Sequence, residues 1–168
     1  MSATSVSVLV PLTGRSIELP DTLESIEQYL QSTGFSFDVR VLDKRDGRYG
    51  AMLRRGASEA KGSVIVVVDP DLPYPVSAIG DAVAMIESGA ADVVFAHRDG
   101  IRGGNAVVRS LLVPMLPDPA LRFKAFSPAA ARLLIGESKL AGAGFEVARL
   151  AVAKLDEFFR DIGAGGHR

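Results

Sequence analysis

Short runs of β-branched and apolar residues alternate along this chain with stretches of helical periodicity, and this alternation constrains its fold more than any other feature. Runs typical of buried strands lie at 6–11, 37–43, 63–68, 92–96 and 122–126. Helical patterns lie at 20–34, 52–60, 76–89, 105–116 and 145–159, and Ser127 followed by Pro128 predicts one more helix start. This alternation predicts a three-layer α/β/α fold with a mainly parallel central sheet.

Size and composition narrow the classes of function. The 168 residues fit one domain, which we place at 1–162, and the glycine-rich end at 163–168 is expected to be disordered. A net charge of −1 gives no electrostatic basis for binding nucleic acid or an anionic membrane. The chain has no cysteine, which suits a reducing cytoplasm. No signal peptide is recognised, and the longest aliphatic run, 64–68, is far shorter than the roughly 20 residues that span a bilayer.

Two aspartates follow the third predicted strand, in the stretch VVVDPDLPYP at 66–75. Ligands of parallel sheets bind beyond the carboxyl ends of the strands, where Asp69 and Asp71 are expected to lie. Paired carboxylates at such a place suit a hard divalent cation whose coordination is completed by a bound diphosphate. The alternative is that an aspartate after a strand only caps the next turn or helix.

Four stretches of the chain carry a family resemblance. They are VSVLVP with LPDTLESIEQYL, then GAMLRRGASEAKGSVIVVVDPDLPYPVSAI, then GAADVVFAHR, and last RFKAFSPAAARLL with GAGFEVARLAVA. In this order they resemble the inverting family-two glycosyltransferases of the GT-A fold, most closely the dolichyl- or polyprenyl-phosphate sugar synthases. The resemblance implies a GT-A-like fold, a nucleoside-diphosphate sugar as donor, Mg²⁺ or Mn²⁺ as cofactor, and an acceptor such as a polyprenyl phosphate.

The resemblance also implies roles on the donor side. Asp71 corresponds to the principal metal ligand, and Asp69 to a residue near the ribose or the phosphates of the donor. Both are therefore expected to be catalytic. Asp43 corresponds to the acid that meets the base of the donor, and Pro11, at the end of the first strand, to a further substrate contact.

Three basic residues complete the expected site. By resemblance, Arg98 lies near the acceptor, while Arg122 and Lys124 flank a strand where the family places phosphate-facing basic residues. From the pattern alone, Arg122 and Lys124 alternate with Phe123, so they equally suit the solvated face of an edge strand.

Departures from the family pattern keep other interpretations open. Thr13-Gly14-Arg15 stands where the family has Y-N-E, and Pro73 stands where it has a glutamine that assists the metal. A second interpretation is a non-catalytic GT-A domain that binds a nucleotide sugar or a protein partner. A third, a nucleotidyltransferase or a dehydrogenase, is disfavoured, because neither G-x-G-x-x-G after the first strand nor a P-loop is present.

One apolar run bears on the partners of the chain. LVPML at 112–116 is expected to cover the core, to form a dimer contact or to face a lipid acceptor. The predicted partners are a nucleoside-diphosphate sugar, a lipid phosphate as acceptor and a second copy of the chain in a homodimer, and no transmembrane segment is predicted.

Overall fold

One sheet of five strands is packed against helices in the computed structural model, which describes residues 4–43, 45, 48–96 and 123–136. In chain order the strands are β1 (Ser5–Pro11), β2 (Ser36–Leu42), β3 (Val64–Val67), β4 (Val93–Ala96) and β5 (Phe123–Phe126). The helices are α1 (Leu19–Thr33), α2 (Tyr49–Glu59), α3 (Ala78–Glu87) and α4 (Pro128–Ala131), and α4 continues as a π-helical segment (Arg132–Gly136). Across the sheet the strands are ordered β2-β1-β3-β5-β4.

The first three strands form the parallel part of the sheet. β1 pairs in parallel with β2 on one side and with β3 on the other, so Leu9 lies opposite both Arg40 and Val67. Parallel neighbours need a crossover connection, and α1 and α2 supply the two crossovers. Because β1 lies between two strands, every residue from Val6 to Pro11 is buried.

The fifth strand runs against the others. β5 pairs antiparallel with β3 and with β4, and Lys124 lies opposite Val67 on one side and opposite Phe95 on the other. Four of the five described strands therefore share one direction, as predicted for a mainly parallel sheet, and β5 makes the sheet mixed. Its place between two strands explains why all of β5 is buried.

Two apolar clusters, one on each face of the sheet, give the predicted three layers. On one face, Val8 of β1 belongs to a cluster with Ile26 of α1 and Ile79 of α3. On the other face, Leu9 belongs to a cluster with Met52 of α2. These side chains are at most 1 % exposed, and burial of each stabilises the fold by roughly 1.5–3 kcal/mol.

Local sequence signals set two helix ends as predicted. Gly34 ends α1 with φ of 73°, in the left-handed region that favours glycine. Ser127 precedes α4, and its Oγ accepts a hydrogen bond from the backbone N–H of Ala130 at 3.2 Å. Pro128 then occupies the first turn of the helix, where a missing N–H costs little.

Several sequence predictions fall outside the described residues. These are the helices at 105–116 and 145–159, the apolar run at 112–116 and the tail at 163–168. None of the helices in the described ranges has the length and apolar character that crossing a membrane requires.

Candidate functional site

The loops that follow β1, β2 and β3 leave the sheet at one edge, because the three strands are parallel neighbours. We call this the carboxyl edge. Pairing continues past the strand ends, since the N–H of Leu12 donates to the carbonyl of Leu42 at 2.7 Å. The register of β1 and β3, continued by two residues, places Pro11 level with Asp69. Polar residues after these three strands are therefore close in space.

Asp69 and Asp71 are held in a turn that follows β3. The N–H of Leu72 donates to the carbonyl of Asp69 at 3.1 Å, and Thr22 of α1 donates from Oγ1 to the carbonyl of Pro70 at 2.8 Å. Leu72 has φ of 37°, which is unfavourable for a residue other than glycine. The turn leaves Asp71 exposed and Asp69 half-buried, with Oδ2 of Asp69 shielded from solvent.

Neither aspartate caps the next helix, which was one interpretation of the pattern. α3 begins at Ala78, and Ser77 occupies its N-cap position. Main-chain atoms close the turn after β3, so the two carboxylates are not needed for that hydrogen bond. The N-cap of α3 is therefore not formed by either aspartate, and a ligand-binding role for the two carboxylates stays a prediction.

Lys124 is buried beside this turn. It is 3 % exposed and lies opposite Val67 of β3. Asp69 follows Val67 by two residues, so the side chains of Asp69 and Lys124 are on the same face of the sheet. Burial lowers the pKa of Lys124 to about 8, and the negative charge of Asp69 opposes this shift. The interpretation of Lys124 as part of a solvated edge strand is therefore wrong, because β5 is an interior strand.

Tyr49 also lies near Asp69 and Lys124, and no pattern in the sequence predicted this. It is the first residue of α2 and packs against the apolar cluster on that face. Burial raises the pKa of Tyr49 to about 12, and the negative charge of Asp69 adds to the effect. Asp69 thus interacts electrostatically with both Tyr49 and Lys124. The signal that could have found Tyr49 is an aromatic residue in the first turn of a helix that packs on the sheet.

A cleft of about 320 Å³ opens at the carboxyl edge beyond β1 and β2, and it is lined by Leu12, Gly14, Arg15, Asp43 and Arg45. Asp43 directly follows β2, as predicted. Its Oδ2 accepts hydrogen bonds from Nε and Nη2 of Arg45 at 2.8 and 2.5 Å. These bonds, with one from the backbone N–H of Arg45, hold the pKa of Asp43 below its usual value.

The carboxylates after β3 fit a particular kind of metal site. Within the described ranges, no three His, Cys, Asp or Glu side chains are grouped so that they could hold a metal ion. Pro73, two residues after Asp71, adds no side-chain ligand. Mg²⁺ is commonly held by one or two carboxylates together with substrate phosphates and water. Asp69 and Asp71 therefore fit a cation shared with a bound diphosphate, and do not form a cage by themselves.

The predicted residues do not all come together in the structure, and Asp71 is exposed in the turn after β3. Asp69 and Lys124 lie together, while Asp43 lines the cleft. Pro11 is buried at the end of β1 and is not part of the cleft lining. Arg98 and Arg122 lie outside the described residues, so their roles stay predictions.

A family model and solved structures match this chain. The model described as Glycosyl transferase family 2 matches residues 19–132. Among solved structures, glucosyl-3-phosphoglycerate synthase from Mycobacterium tuberculosis, in complex with Mn²⁺, uridine diphosphate and phosphoglyceric acid, is similar with a TM-score of 0.64 at 16 % identity. That match covers 92 % of this chain and 65 % of the other, so the chain spans slightly less than two thirds of that synthase.

A second structure gives the same fold. Mannosyl-3-phosphoglycerate synthase from Rubrobacter xylanophilus matches with a TM-score of 0.56 at 13 % identity, covering 97 % of this chain and 75 % of the other. At these identities the likeness concerns the fold, and it confirms the predicted GT-A-like architecture. No curated protein sequence matches the chain.

Proposed function

The chain belongs to glycosyl transferase family 2, and from this premise we propose that it transfers a sugar from a nucleoside-diphosphate sugar to an acceptor that carries a phosphate group. The proposal places the donor along the carboxyl edge of the sheet. Its base would lie in the cleft beyond β1 and β2, and its diphosphate beside the turn that follows β3.

One observation carries the proposal: the turn with Asp69 and Asp71 and the cleft with Asp43 lie at the same edge, two strands apart. Neighbouring strands are about 4.8 Å apart, so the ends of β2 and β3 are separated by roughly 10 Å. A nucleoside diphosphate is long enough to place its base at one end of such a span and its phosphates at the other. The hydroxyl of Thr22 also donates to the carbonyl of Pro70, between the two aspartates, and so helps to hold the turn in place.

The residues at this edge have distinct proposed roles. Asp71, which is exposed, would hold Mg²⁺ or Mn²⁺ together with the diphosphate, and Asp69 would orient the ribose and phosphates. When bound, the cation supplies positive charge that stabilises the leaving diphosphate. Lys124 would balance the charge of Asp69, and Pro11, a further proposed substrate contact, directly precedes Leu12, which lines the cleft.

The proposed acceptor is specified only by its phosphate group. Polyprenyl phosphate is suggested by the sequence resemblance, and phosphoglyceric acid is bound by one structural neighbour. Arg98 and Arg122 are the proposed contacts for such a group. A polyprenyl phosphate would attack through an oxygen that is already anionic and would need little help from a base. Transfer assays with each compound distinguish the two acceptors.

Two other expectations remain part of the proposal. A cytoplasmic location is supported by the absence of cysteine from the sequence. A homodimer contact through the apolar run at 112–116 is supported by its composition alone, and light scattering of the purified chain tests it.

The alternative, a nucleotide-sugar-binding domain without catalysis, is favoured by one observation. The described residues supply no third acidic or histidine ligand near Asp69 and Asp71, and Pro73 occupies the place of an assisting side chain. Such a domain would bind a donor in the presence of a cation and would neither transfer nor hydrolyse its sugar.

Calorimetric titration with UDP and GDP, each with and without Mn²⁺, tests the proposal. We expect Mn²⁺ to tighten nucleotide binding, and the substitution Asp71→Asn to reduce that metal-dependent gain about tenfold or more, because a primary ligand is lost. The matched control is Asp81→Asn, at an exposed position in α3. Absence of binding to either nucleotide would refute a donor site. Binding without sugar transfer or donor hydrolysis would identify the non-catalytic alternative.

A further inference from the structure

One side of β2 pairs with no other strand among the described residues, because β2 comes first in the strand order β2-β1-β3-β5-β4. We call it the open side of β2. All seven residues of the strand, Ser36–Leu42, are in register with β1 on the other side. Residues 36–41 are half-buried or exposed, so a partner can approach them. A strand in this position presents backbone N–H and C=O groups with which another strand can pair.

The backbone groups of β2 point alternately to β1 and to the open side. The N–H of Ser36 donates to the carbonyl of Thr4 at 3.2 Å, and the carbonyl of Leu42 accepts from the N–H of Leu12 at 2.7 Å. Even-numbered residues therefore bond towards β1, and odd-numbered residues present both backbone groups on the open side. The odd-numbered residues of the strand are Phe37, Val39 and Val41.

The strand is suited to pairing with a second copy of itself. Two copies related by a two-fold axis pair antiparallel, and overlap of all seven residues puts the axis at Val39, the middle of β2. Val39 then lies opposite its own copy, and Phe37 lies opposite Val41. The residues with backbone groups on the open side thus face one another, as an antiparallel ladder requires.

The side chains of β2 suit the same register. Asp38 and Arg40, whose side chains are 40 % and 32 % exposed, lie opposite each other's copy, so unlike charges meet on both sides of the axis. An axis at Asp38 or at Arg40 would instead place like charges opposite each other. Val41 is one of two large apolar side chains that are exposed in the described part of the chain, and it would contact Phe37 of the second copy.

Charged side chains on an outer strand usually prevent pairing, because two copies bring like charges together. The charges of β2 differ, since Asp38 and Arg40 have opposite signs and are placed symmetrically about Val39. Nε of Arg40 donates to Oδ2 of Asp38 at 2.7 Å, and Nη1 donates to Glu59 at 3.1 Å. These contacts hold the guanidinium beside the strand, where the register puts the carboxylate of a second copy.

We propose that the chain forms a homodimer in which β2 pairs antiparallel with β2 of a second copy about a two-fold axis at Val39, so that the two sheets become one. This surface differs from the apolar run at 112–116, and the inference does not depend on sugar transfer. The contact is smaller than a standard interface of about 1,600 Å², so we expect a dissociation constant in the micromolar range.

The absence of cysteine from the sequence allows single thiols to test the register. Val39→Cys places a thiol opposite its own copy, with the two Cα atoms about 5.5 Å apart, which suits a disulfide. Val41→Cys is the matched control, because it is more exposed but its Cα lies about 14 Å from its copy, too far for a disulfide. We expect mild oxidation to link Val39→Cys at least about fivefold more than Val41→Cys.

Arg40→Asp tests the charge pairs, because it places acidic side chains opposite one another. Sedimentation velocity from about 1 to 500 µM should show a dimer of the unsubstituted chain, and the variant should weaken it about tenfold or more. Arg55→Asp is the control: it makes the same change of charge and removes a contact with Glu59 at 3.1 Å, but it lies on α2. It should leave dimer formation unchanged, and circular dichroism shows whether each variant is folded.

A chain that stays monomeric over this range would overturn the inference. Equal linking of Val39→Cys and Val41→Cys, or a dimer that Arg40→Asp leaves unchanged, would also overturn it, because the contact would then be on another surface. If Arg40→Asp does not fold, the comparison of the two cysteine variants decides. None of these results bears on the proposed sugar transfer, which the nucleotide titrations test separately.

Discussion

The two edges of the sheet are built from different kinds of polar residue. At the amino edge, where β1 and β3 begin, Ser7 is fully buried, donates to Oδ1 of Asp38 at 2.6 Å and accepts from the N–H of Gly62 at 3.0 Å. Beside it, the backbone N–H groups of Ser5 and Ser63 each donate to the other residue's hydroxyl, at 3.1 and 2.9 Å. Short side chains here satisfy backbone groups and join the strands.

The carboxyl edge is built from charged groups and an unfavourable backbone conformation. Lys124 is buried with its ammonium near Asp69, Leu72 has a positive φ, and Asp71 is exposed. Such features lower stability, and they persist in proteins mainly where a ligand is bound. This difference is expected if the amino edge mainly stabilises the fold. The carboxyl edge would then have a less stable arrangement because it forms the proposed ligand-binding site. Alanine or methionine substitutions at the two edges test this comparison.

The largest effect is expected from Gly62→Ala at the amino edge. A Cβ at this position would lie 2.5 Å from the backbone N of Ser7 and 2.8 Å from the carbonyl oxygen of Val64. Backbone atoms of paired strands cannot move aside cheaply, so we expect a loss of about 3 kcal/mol in the free energy of unfolding. Urea denaturation measures it.

The matched control for that substitution lies at the other edge. Gly14→Ala places its Cβ where no atom lies within 4 Å, and the residue is exposed. It should change the free energy of unfolding by less than about 0.5 kcal/mol. Similar losses from the two substitutions would show that the edges do not differ in the way that we describe.

The next effect concerns the buried charge of Lys124. Its folded pKa of about 8 is below its ordinary value of 10.5, so between these pH values the unfolded chain binds more protons than the folded chain. The free energy of unfolding should therefore rise with pH over this window, by on the order of 2 kcal/mol for Lys124. Tyr49, whose pKa is raised to about 12, acts in the opposite direction above about pH 10, because the unfolded chain then loses its proton first.

Lys124→Met removes the titrating group, so the rise in the free energy of unfolding between about pH 8 and pH 10 should become smaller. Lys61→Met, at an exposed lysine of the amino edge, is the control and should keep the slope of the unsubstituted chain. Chemical denaturation at several pH values measures all three proteins. An identical slope in the Lys124→Met protein would contradict the placement of a charged lysine inside the sheet.

The sequence predicted the elements better than their arrangement. Local patterns are enough to identify a buried strand such as β1, or a helix that ends at Gly34, because they depend on neighbouring residues. The place and direction of β5 depend on pairing with β3 and β4, and no local pattern encodes that. For this reason Lys124 could be read as solvated until the strand order was known.

The candidate site shows the same limit. Asp69 and Asp71 were predicted because carboxylates after a strand are a local signal with a general meaning, and Asp43 was predicted from the family resemblance. Tyr49 was missed, since its contact with the site depends on how α2 packs on the sheet. The engagement of Asp43 by Arg45 was missed for a different reason: residues two apart in a loop meet only in certain backbone conformations, which the sequence does not specify.

The smallest effect, and the most direct test of strain at the carboxyl edge, comes from Leu72. Both Leu72→Ala and Leu72→Gly remove the same packing against the apolar cluster that contains Val8. Only glycine relieves the cost of φ at 37°. An alanine normally stabilises a protein by about 0.4–1 kcal/mol relative to glycine, because it restricts the unfolded chain. Here we expect that order to reverse, with the glycine protein up to about 1 kcal/mol more stable. Thermal unfolding of the two proteins decides it, and a more stable alanine protein would mean that the turn after β3 is not strained.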